Sequence, residues 1–287
     1  MLFRSFVLVL MSLLMIASLA VPVMAADEGM IFTAEQTHPL NKTLDKGPQT
    51  FEAVVRLPKD YTARAGLILS SYKSNGNTAI SLQINSGKVL ELYYEIDAEK
   101  AANVRHKFTE IPVTLIATGE WVHIAVVKDE ANGKAHAYIN GEFIQTAENA
   151  TQPYGYFSGK AEPLAPCIGG DHRTGNGQYW KGEIREIALY SDVRTADEIK
   201  ADAKEIKSDK DMTLWLQLEK GMTAAKDLSG NGNHMGDYKE PETTQAQITE
   251  SAQTPAPTAP QTSDAAVVLA AVVSAAGAGV VVFKKRK

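Results

Sequence analysis

A two-residue period governs the middle of this 287-residue chain. Ala79-Ile80-Ser81-Leu82-Gln83-Ile84 alternates apolar and polar side chains, then stops at Asn85-Ser86-Gly87, a turn signal. Successive side chains of a strand point to opposite faces, so such a run buries one face and leaves the other to polar groups. The same pattern marks strands at 51–57, 66–70 and 121–127, and 88–96 reads as the hairpin partner of the first run. Asn132-Gly133 and Asn140-Gly141 divide the next stretch into 135–139 and 142–144. Asn-Gly pairs suit the tight turns that join antiparallel strands. Runs at 167–170, 182–190 and 214–218 complete the set. Many short strands without a strand-helix-strand rhythm predict an all-β, two-sheet antiparallel jelly-roll sandwich over residues 30–238. One short helix is expected near 195–206, because Thr195-Ala196-Asp197-Glu198 is a capping box ahead of the apolar Ile199.

The two ends of the chain read differently. Arg4, an apolar run from Phe6 to Val21 and small residues at Ala25 and Ala26 make 1–26 a secretory signal peptide. Residues 239–262 are rich in Thr, Gln, Ala, Pro and Glu and too poor in apolar groups to offset their ordering entropy. They read as a stalk, stiffened by Pro255, Pro257 and Pro260. Residues 265–283 carry no charge; a helix of that length, at about 1.5 Å per residue, nearly crosses a hydrocarbon core of roughly 30 Å. Lys284-Lys285-Arg286-Lys287 would hold its end on the cytoplasmic side. A separate C-terminal transmembrane helix is therefore expected, with the sandwich outside.

Charge and cysteine content narrow the partners. The chain has 34 acidic and 29 basic residues. Setting aside Arg4, Asp264 and the four terminal bases leaves 33 acids and 24 bases, a net of about −9. That surplus repels a phosphate backbone, so nucleic acid is not an expected partner. Cys167 is the single cysteine, so the domain has no intrachain disulfide and depends on its core. His123 and His136 fall on adjacent hairpin strands as possible cross-strand neighbours, and no two histidines have helical ligand spacing.

Two resemblances rest on particular residues. Residues 259–264, Ala-Pro-Gln-Thr-Ser-Asp, ahead of the apolar span and basic tail, resemble the sorting signal of Gram-positive sortase substrates. Ala259 stands where that motif has Leu and Ser263 where it has Gly. The resemblance implies cleavage between Thr262 and Ser263, and sortase and a cell-wall peptide as partners. The alternative is a plain membrane anchor. The second resemblance is carried in order by 50–57, Glu120-Trp121-Val122-His123-Ile124, Tyr138-Ile139-Asn140-Gly141, Cys167-Ile168-Gly169-Gly170, 180–186 and 190–195. This set is similar to the laminin-G-like domain of the concanavalin A-like lectin and glucanase superfamily. It implies a concanavalin A-like sandwich that binds glycans or proteins, with calcium bound by some members.

Three segments are candidates for chemistry. The loop 169–180 is polar and Gly-rich; Asp171, His172, Arg173 and Asn176 could bond sugar hydroxyls while Tyr179 or Trp180 stacks on a ring. Its other reading is a structural loop with Trp180 tucked against the sandwich. Asp227, Ser229, Asn231 and Asn233 form an oxygen-rich segment suited to calcium, although turn chemistry alone selects the same residues. Glu95, Asp97 and Glu99 alternate on one strand, about 6 to 7 Å apart. Glucanases of the superfamily use such a Glu-x-Asp-x-Glu strand, which would make Glu95 nucleophile, Asp97 helper and Glu99 acid. The other reading is a solvated strand edge.

The expectation is a non-catalytic module at the cell surface that recognises a polysaccharide or glycoprotein. The alternatives are a protein-binding adhesion module and a glycoside hydrolase using Glu95, Asp97 and Glu99. N-terminal sequencing of the exported protein is expected to begin at Asp27, and a mature chain still starting at Met1 would remove the signal-peptide reading.

Overall fold

The computed structural model describes residues 28–45, 47–73, 80–97, 102–148, 150–152, 154 and 164–240. In chain order it contains β1 (Met30–Ile31), β2 (Thr50–Arg56), β3 (Gly66–Ser70), β4 (Ile80–Ile84), β5 (Val89–Asp97), β6 (Ala102–Pro112), α1 (Val113–Ile116), β7 (Val122–Asp129), β8 (Lys134–Ile139), β9 (Glu142–Glu148), β10 (Cys167–Ile168), β11 (Glu183–Tyr190), α2 (Ala196–Asp202) and β12 (Met212–Gln217). The signal peptide, residues 241–262 of the stalk, the sorting motif, the apolar span, the basic tail and Glu99 lie outside the described residues. Among the described residues no helix is long and apolar enough to cross a membrane.

All strand pairs are antiparallel and fall into two sheets. One runs β1-β11-β2-β7-β8-β9, with β12 also on β11, and the other runs β10-β3-β4-β5-β6. The inward rows of both sheets meet in one core. Phe51, Ala53, Val55, Ile124 and Val126 come from the larger sheet, and Ile80, Leu82, Ile84, Leu90, Leu92 and Phe108 from the smaller. This is the all-β sandwich that the alternation predicts. The hairpin turn between β8 and β9 uses the Asn-Gly chemistry directly: Asn140 and Gly141 both hold positive φ, 50° and 80°.

β6 is the one long strand the sequence pattern does not announce. Its outward residues Asn103, Arg105 and Lys107 alternate with Val104, His106 and Phe108. A buried histidine occupies an apolar slot there, and its Nε2 lies 3.3 Å from the Tyr94 hydroxyl. His123 and His136 are not cross-strand neighbours, because the β7–β8 register sets His136 opposite Val127.

The outer face of the larger sheet is covered. The predicted capping box closes α2: Thr195 accepts from the Glu198 amide at 3.3 Å, and Glu198 accepts from the Thr195 amide at 2.7 Å. Ile199 packs on Ala125, Val127 and Tyr138, and Ile206 on Val54, Ala188 and Tyr190. Beneath them lies a buried ionic cluster. Arg194 reaches Asp202 at 2.6 Å, Asp209 at 3.4 Å and Glu52 at 3.6 Å, and His123 lies 2.9 Å from Glu52.

This cluster holds more acid than base. Burial pushes the Glu52 carboxyl up to about 8, against the pull of Arg194, so it keeps its proton at neutral pH. Burial pushes His123 down to about 4, so the imidazole stays neutral. A carboxyl with a raised pKa gives stability that is complete below its ordinary value of 4.5 and lost as pH rises through about 8. Thermal melts are expected to show a loss of about 1 kcal/mol between pH 7 and pH 9.5, the tail of a larger fall that starts near pH 5. Glu52→Gln is expected to flatten that fall; a parallel fall in the variant would show that another group titrates.

Candidate functional site

Among the described residues no helix covers the outer face of the five-stranded sheet, which carries a polar groove of about 380 Å³. Its floor follows the strand register. Ser70 of β3 lies opposite Ser81 of β4, which lies opposite Tyr93 of β5, which lies opposite Arg105 of β6. In the next rung Gln83 faces Glu91, and at the far end Glu95 faces Asn103. Rungs on one face repeat about every 7 Å along a strand. The groove wall comes from the loop between β10 and β11, which is clipped to β3. The Leu67 amide donates to the Gln178 carbonyl, and the Gly169 amide to the Ile68 carbonyl. Gly66 makes that approach possible: its φ is +93°, and a Cβ there would sit 2.2 Å from the Tyr179 carbonyl oxygen.

These outward side chains are polar yet withdrawn from solvent. Glu91 is 0% exposed, Ser81 3% and Gln83 7%. Buried polar groups require partners, and a lattice supplies them. Glu91 Oε1 accepts from Gln83 Nε2 at 2.9 Å and Arg105 Nη1 at 3.0 Å, while Oε2 accepts from Asn85 Nδ2 at 3.0 Å. The Ser70 and Ser81 hydroxyls share a 2.6 Å bond. Tyr93 donates its hydroxyl to Glu95 at 2.7 Å. Burial and this bond raise the Tyr93 phenol well above its ordinary range. The Arg105 guanidinium lies 4.4 Å over the Tyr93 ring, and that of Arg173 lies 4.3 Å over Tyr72.

The candidate loop divides between two destinations. Asp171 and Arg173 line the groove. Asp171 is buried and accepts from the Arg173 amide at 2.9 Å, the Arg173 guanidinium and Asn176 Nδ2 at 2.7 Å. Asn176 therefore positions Asp171, and its own oxygen accepts from the Gln178 amide at 2.7 Å. His172 turns away to the Ala165 carbonyl, 2.7 Å from Nε2. Trp180 is fully buried and donates to the Glu183 carbonyl at 3.2 Å, which is the structural role that the loop's second reading gives it. Tyr179 lies at a separate cleft beside Ile31, Phe32, Leu57 and Pro58, with Lys181 Nζ 3.0 Å above its ring.

Glu95 lines the groove, but the carboxylate alternation does not continue cleanly past it. The β5–β6 register shifts between Glu95 and Asp97. The groove residues that the sequence reading does not single out as site residues include Arg64, Ser70, Tyr72, Ser81, Gln83, Glu91, Tyr93, Asn103, Arg105 and Gln178. Alternation marks most of them as one strand face, and an ordinary solvated face has the same signature. Cys167 is buried beside Ser70 in the register; burial, with the nearby Asp171 charge, pushes its thiol up to about 12 and keeps it protonated.

Fold and groove together define a two-sheet β-sandwich with a ligand-sized polar site on one sheet. The chain belongs to the concanavalin A-like lectin/glucanases superfamily: the Laminin_G_3 family model matches residues 33–200. No curated protein matches the chain. Among solved structures, a Bacteroides ovatus protein proposed to bind carbohydrate is 16% identical with a TM-score of 0.44; the match covers 69% of this chain and 56% of that one. This chain thus spans just over half the length of that protein. The CBM40 of the Ruminococcus gnavus IT-sialidase bound to α2,3-sialyllactose is 19% identical with a TM-score of 0.45, over 61% of this chain and 96% of the module. Domain 4 of AbnA, a GH43 extracellular arabinanase from Geobacillus stearothermophilus, in complex with arabinotriose, is 19% identical with a TM-score of 0.42, over 60% and 75%.

The oxygen-rich segment 227–233 is a hydrogen-bonded clamp on β12. Asp227 Oδ1 accepts from the amides of Trp215 and Ser229, each at 3.0 Å, and from the Ser229 hydroxyl at 2.7 Å; Oδ2 accepts from the Asn233 amide at 2.8 Å. Asn231 and Asn233 point their amide nitrogens at the Met212 and Thr213 carbonyls, each at 2.8 Å. Among the described residues no cluster of three or more His, Cys, Asp or Glu side chains could hold a metal ion. Asp227→Ala strands several amides and is expected to cost about 3 kcal/mol, lowering Tm by roughly 10 °C. A chelator is expected to leave Tm unchanged if the clamp stands on these bonds alone; a chelator shift as large as the variant's would support the calcium reading.

Proposed function

We propose that the groove on the five-stranded sheet binds carbohydrate and leaves it uncut, on a domain displayed outside the cell. The observation that carries this reading is the row of buried, mutually bonded polar side chains on an outer sheet face. Sugar hydroxyls both donate and accept. The lining offers amides from Gln83, Asn103 and Gln178, hydroxyls from Ser70 and Ser81, guanidiniums and carboxylates in one small space. Its volume of about 380 Å³ suits a small ligand. Tyr72 and Tyr93 each have a guanidinium over the ring, so recognition proceeds through hydrogen bonds more than bare ring stacking. That favours a short, hydroxyl-rich glycan end over a flat extended chain.

Hydrolysis fits the groove less well. Glu91 and Glu95 are four residues apart on one strand, about 13 Å, whereas glycosidase carboxyl pairs lie about 5 to 9.5 Å apart. Glu91 and Asp171 also have their oxygens committed to donors of the chain itself. Export and anchoring rest on the composition of 1–26, 239–262, 265–283 and 284–287. In this reading sortase transfers the chain at Thr262 to the wall, and recovery of the domain in the wall fraction is the expected result.

A glycan array probed with the purified protein is expected to give binding, with no release of reducing ends. Arg105→Gln is expected to weaken that binding about tenfold, a loss of 1.4 kcal/mol. Arg105 also pairs with the buried Glu91, so Tm is expected to fall as well, and binding is compared at a temperature where both proteins are folded. Silence across all sugars would favour a protein ligand, and reducing ends that vanish in Glu95→Gln would favour the hydrolase.

A further inference from the structure

We propose that the groove selects an acidic glycan, with the sugar's carboxylate seated on Arg64. The inference rests on the carbohydrate reading above and names the ligand class for the same site. Three guanidiniums line the groove: Arg64, Arg105 and Arg173. Arg105 is paired with Glu91 and Arg173 with Asp171. Arg64 differs. Its Nη2 donates to the side-chain oxygens of Gln83, at 3.0 Å, and Gln178, at 2.9 Å, both neutral. Among the described residues no carboxylate pairs with it.

Arg64 is half-buried, and its Nε is buried without a partner. Desolvation and the like charge of Arg173 work against its cation, and the Glu91 and Asp171 charges, which are not paired with it, offset them only in part. A guanidinium has five N–H donors, and two are used here. The Nη1 hydrogens remain for a ligand. A neutral hydroxyl would accept a hydrogen bond but add nothing to the partial compensation that Glu91 and Asp171 give the charge. A carboxylate does both, and charge-assisted bonds are roughly twice as strong as neutral ones. The wider surface argues for a single carboxylate. Over residues 27–262 acids outnumber bases 33 to 24, so a polyanion would be repelled outside the groove. Gln83 and Gln178 fix the guanidinium from two sides, which keeps Nη1 oriented before ligand arrives.

The test uses the full chain and matched oligosaccharides capped by glucuronic acid, sialic acid, glucose or glucose 6-sulfate, with affinities measured at low and high salt. At least one carboxylate cap is expected to bind about tenfold or more tighter than the glucose cap, with the advantage shrinking as salt rises. In Arg64→Gln that advantage is expected to collapse toward unity, and Arg64→Lys is expected to restore part of it. Tm of each variant controls for folding, and the salt response of the unaltered protein stands without any variant. Equal binding of glucose and acidic caps, or an acid preference that survives Arg64→Gln, overturns the carboxylate assignment and leaves the carbohydrate reading in place. A sulfate cap as tight as the carboxylate caps also overturns it, in favour of a general anion site. No binding to any cap overturns both.

Discussion

The packing of two apolar rows against each other sets every other choice in this sandwich. Each strand side chain has only two directions, so placing Leu82, Leu92 and Phe108 in the core sends Ser81, Tyr93 and Arg105 to the opposite face. A slip of one residue in β4 would put Gln83 and Ser81 among the core leucines. The polar groove is thus the reverse side of the core, held in register by it.

The two outer faces then solve the same problem differently. On the larger sheet, Ala125, Val127 and Ala188 leave room for α2 and the segment after it, and a buried ionic cluster pins that cover in place. On the smaller sheet no helix arrives among the described residues. Its outer face is built of hydrogen-bonding residues that satisfy one another, and Glu91 is the centre of that lattice with donors from three neighbours. Such a network is preorganised, because few of its side chains must be reoriented when a ligand binds.

Arginine is the recurrent device on both sides. Arg194 draws acids together under α2, while Arg105 and Arg173 each neutralise a groove acid and lie over a tyrosine ring. The planar guanidinium serves both contacts at once, which an ammonium does less well. Arg64 has neither kind of contact, and that difference gives the groove its polarity.

The sequence by itself determined the strands, the hairpin turns and the helix cap. Those depend on neighbours two to four residues apart: alternation at Ile80–Ile84, positive φ at Asn140-Gly141, reciprocal bonds between Thr195 and Glu198. It also marked Asp171, Arg173 and Glu95, which do reach the groove. It hid β6, because buried His106 reads as polar, and it joined Tyr179 and Trp180 to a loop whose side chains part company. Only the tertiary structure decided which polar face forms a groove. Ser70, Gln83, Glu91, Arg105 and Arg64 come from four separate strands and a loop, and nothing local separates them from a solvated surface. Their burial, and the one groove guanidinium that forms no ion pair among the described residues, exist only once the sheet is assembled and the 169–182 loop has closed along its edge.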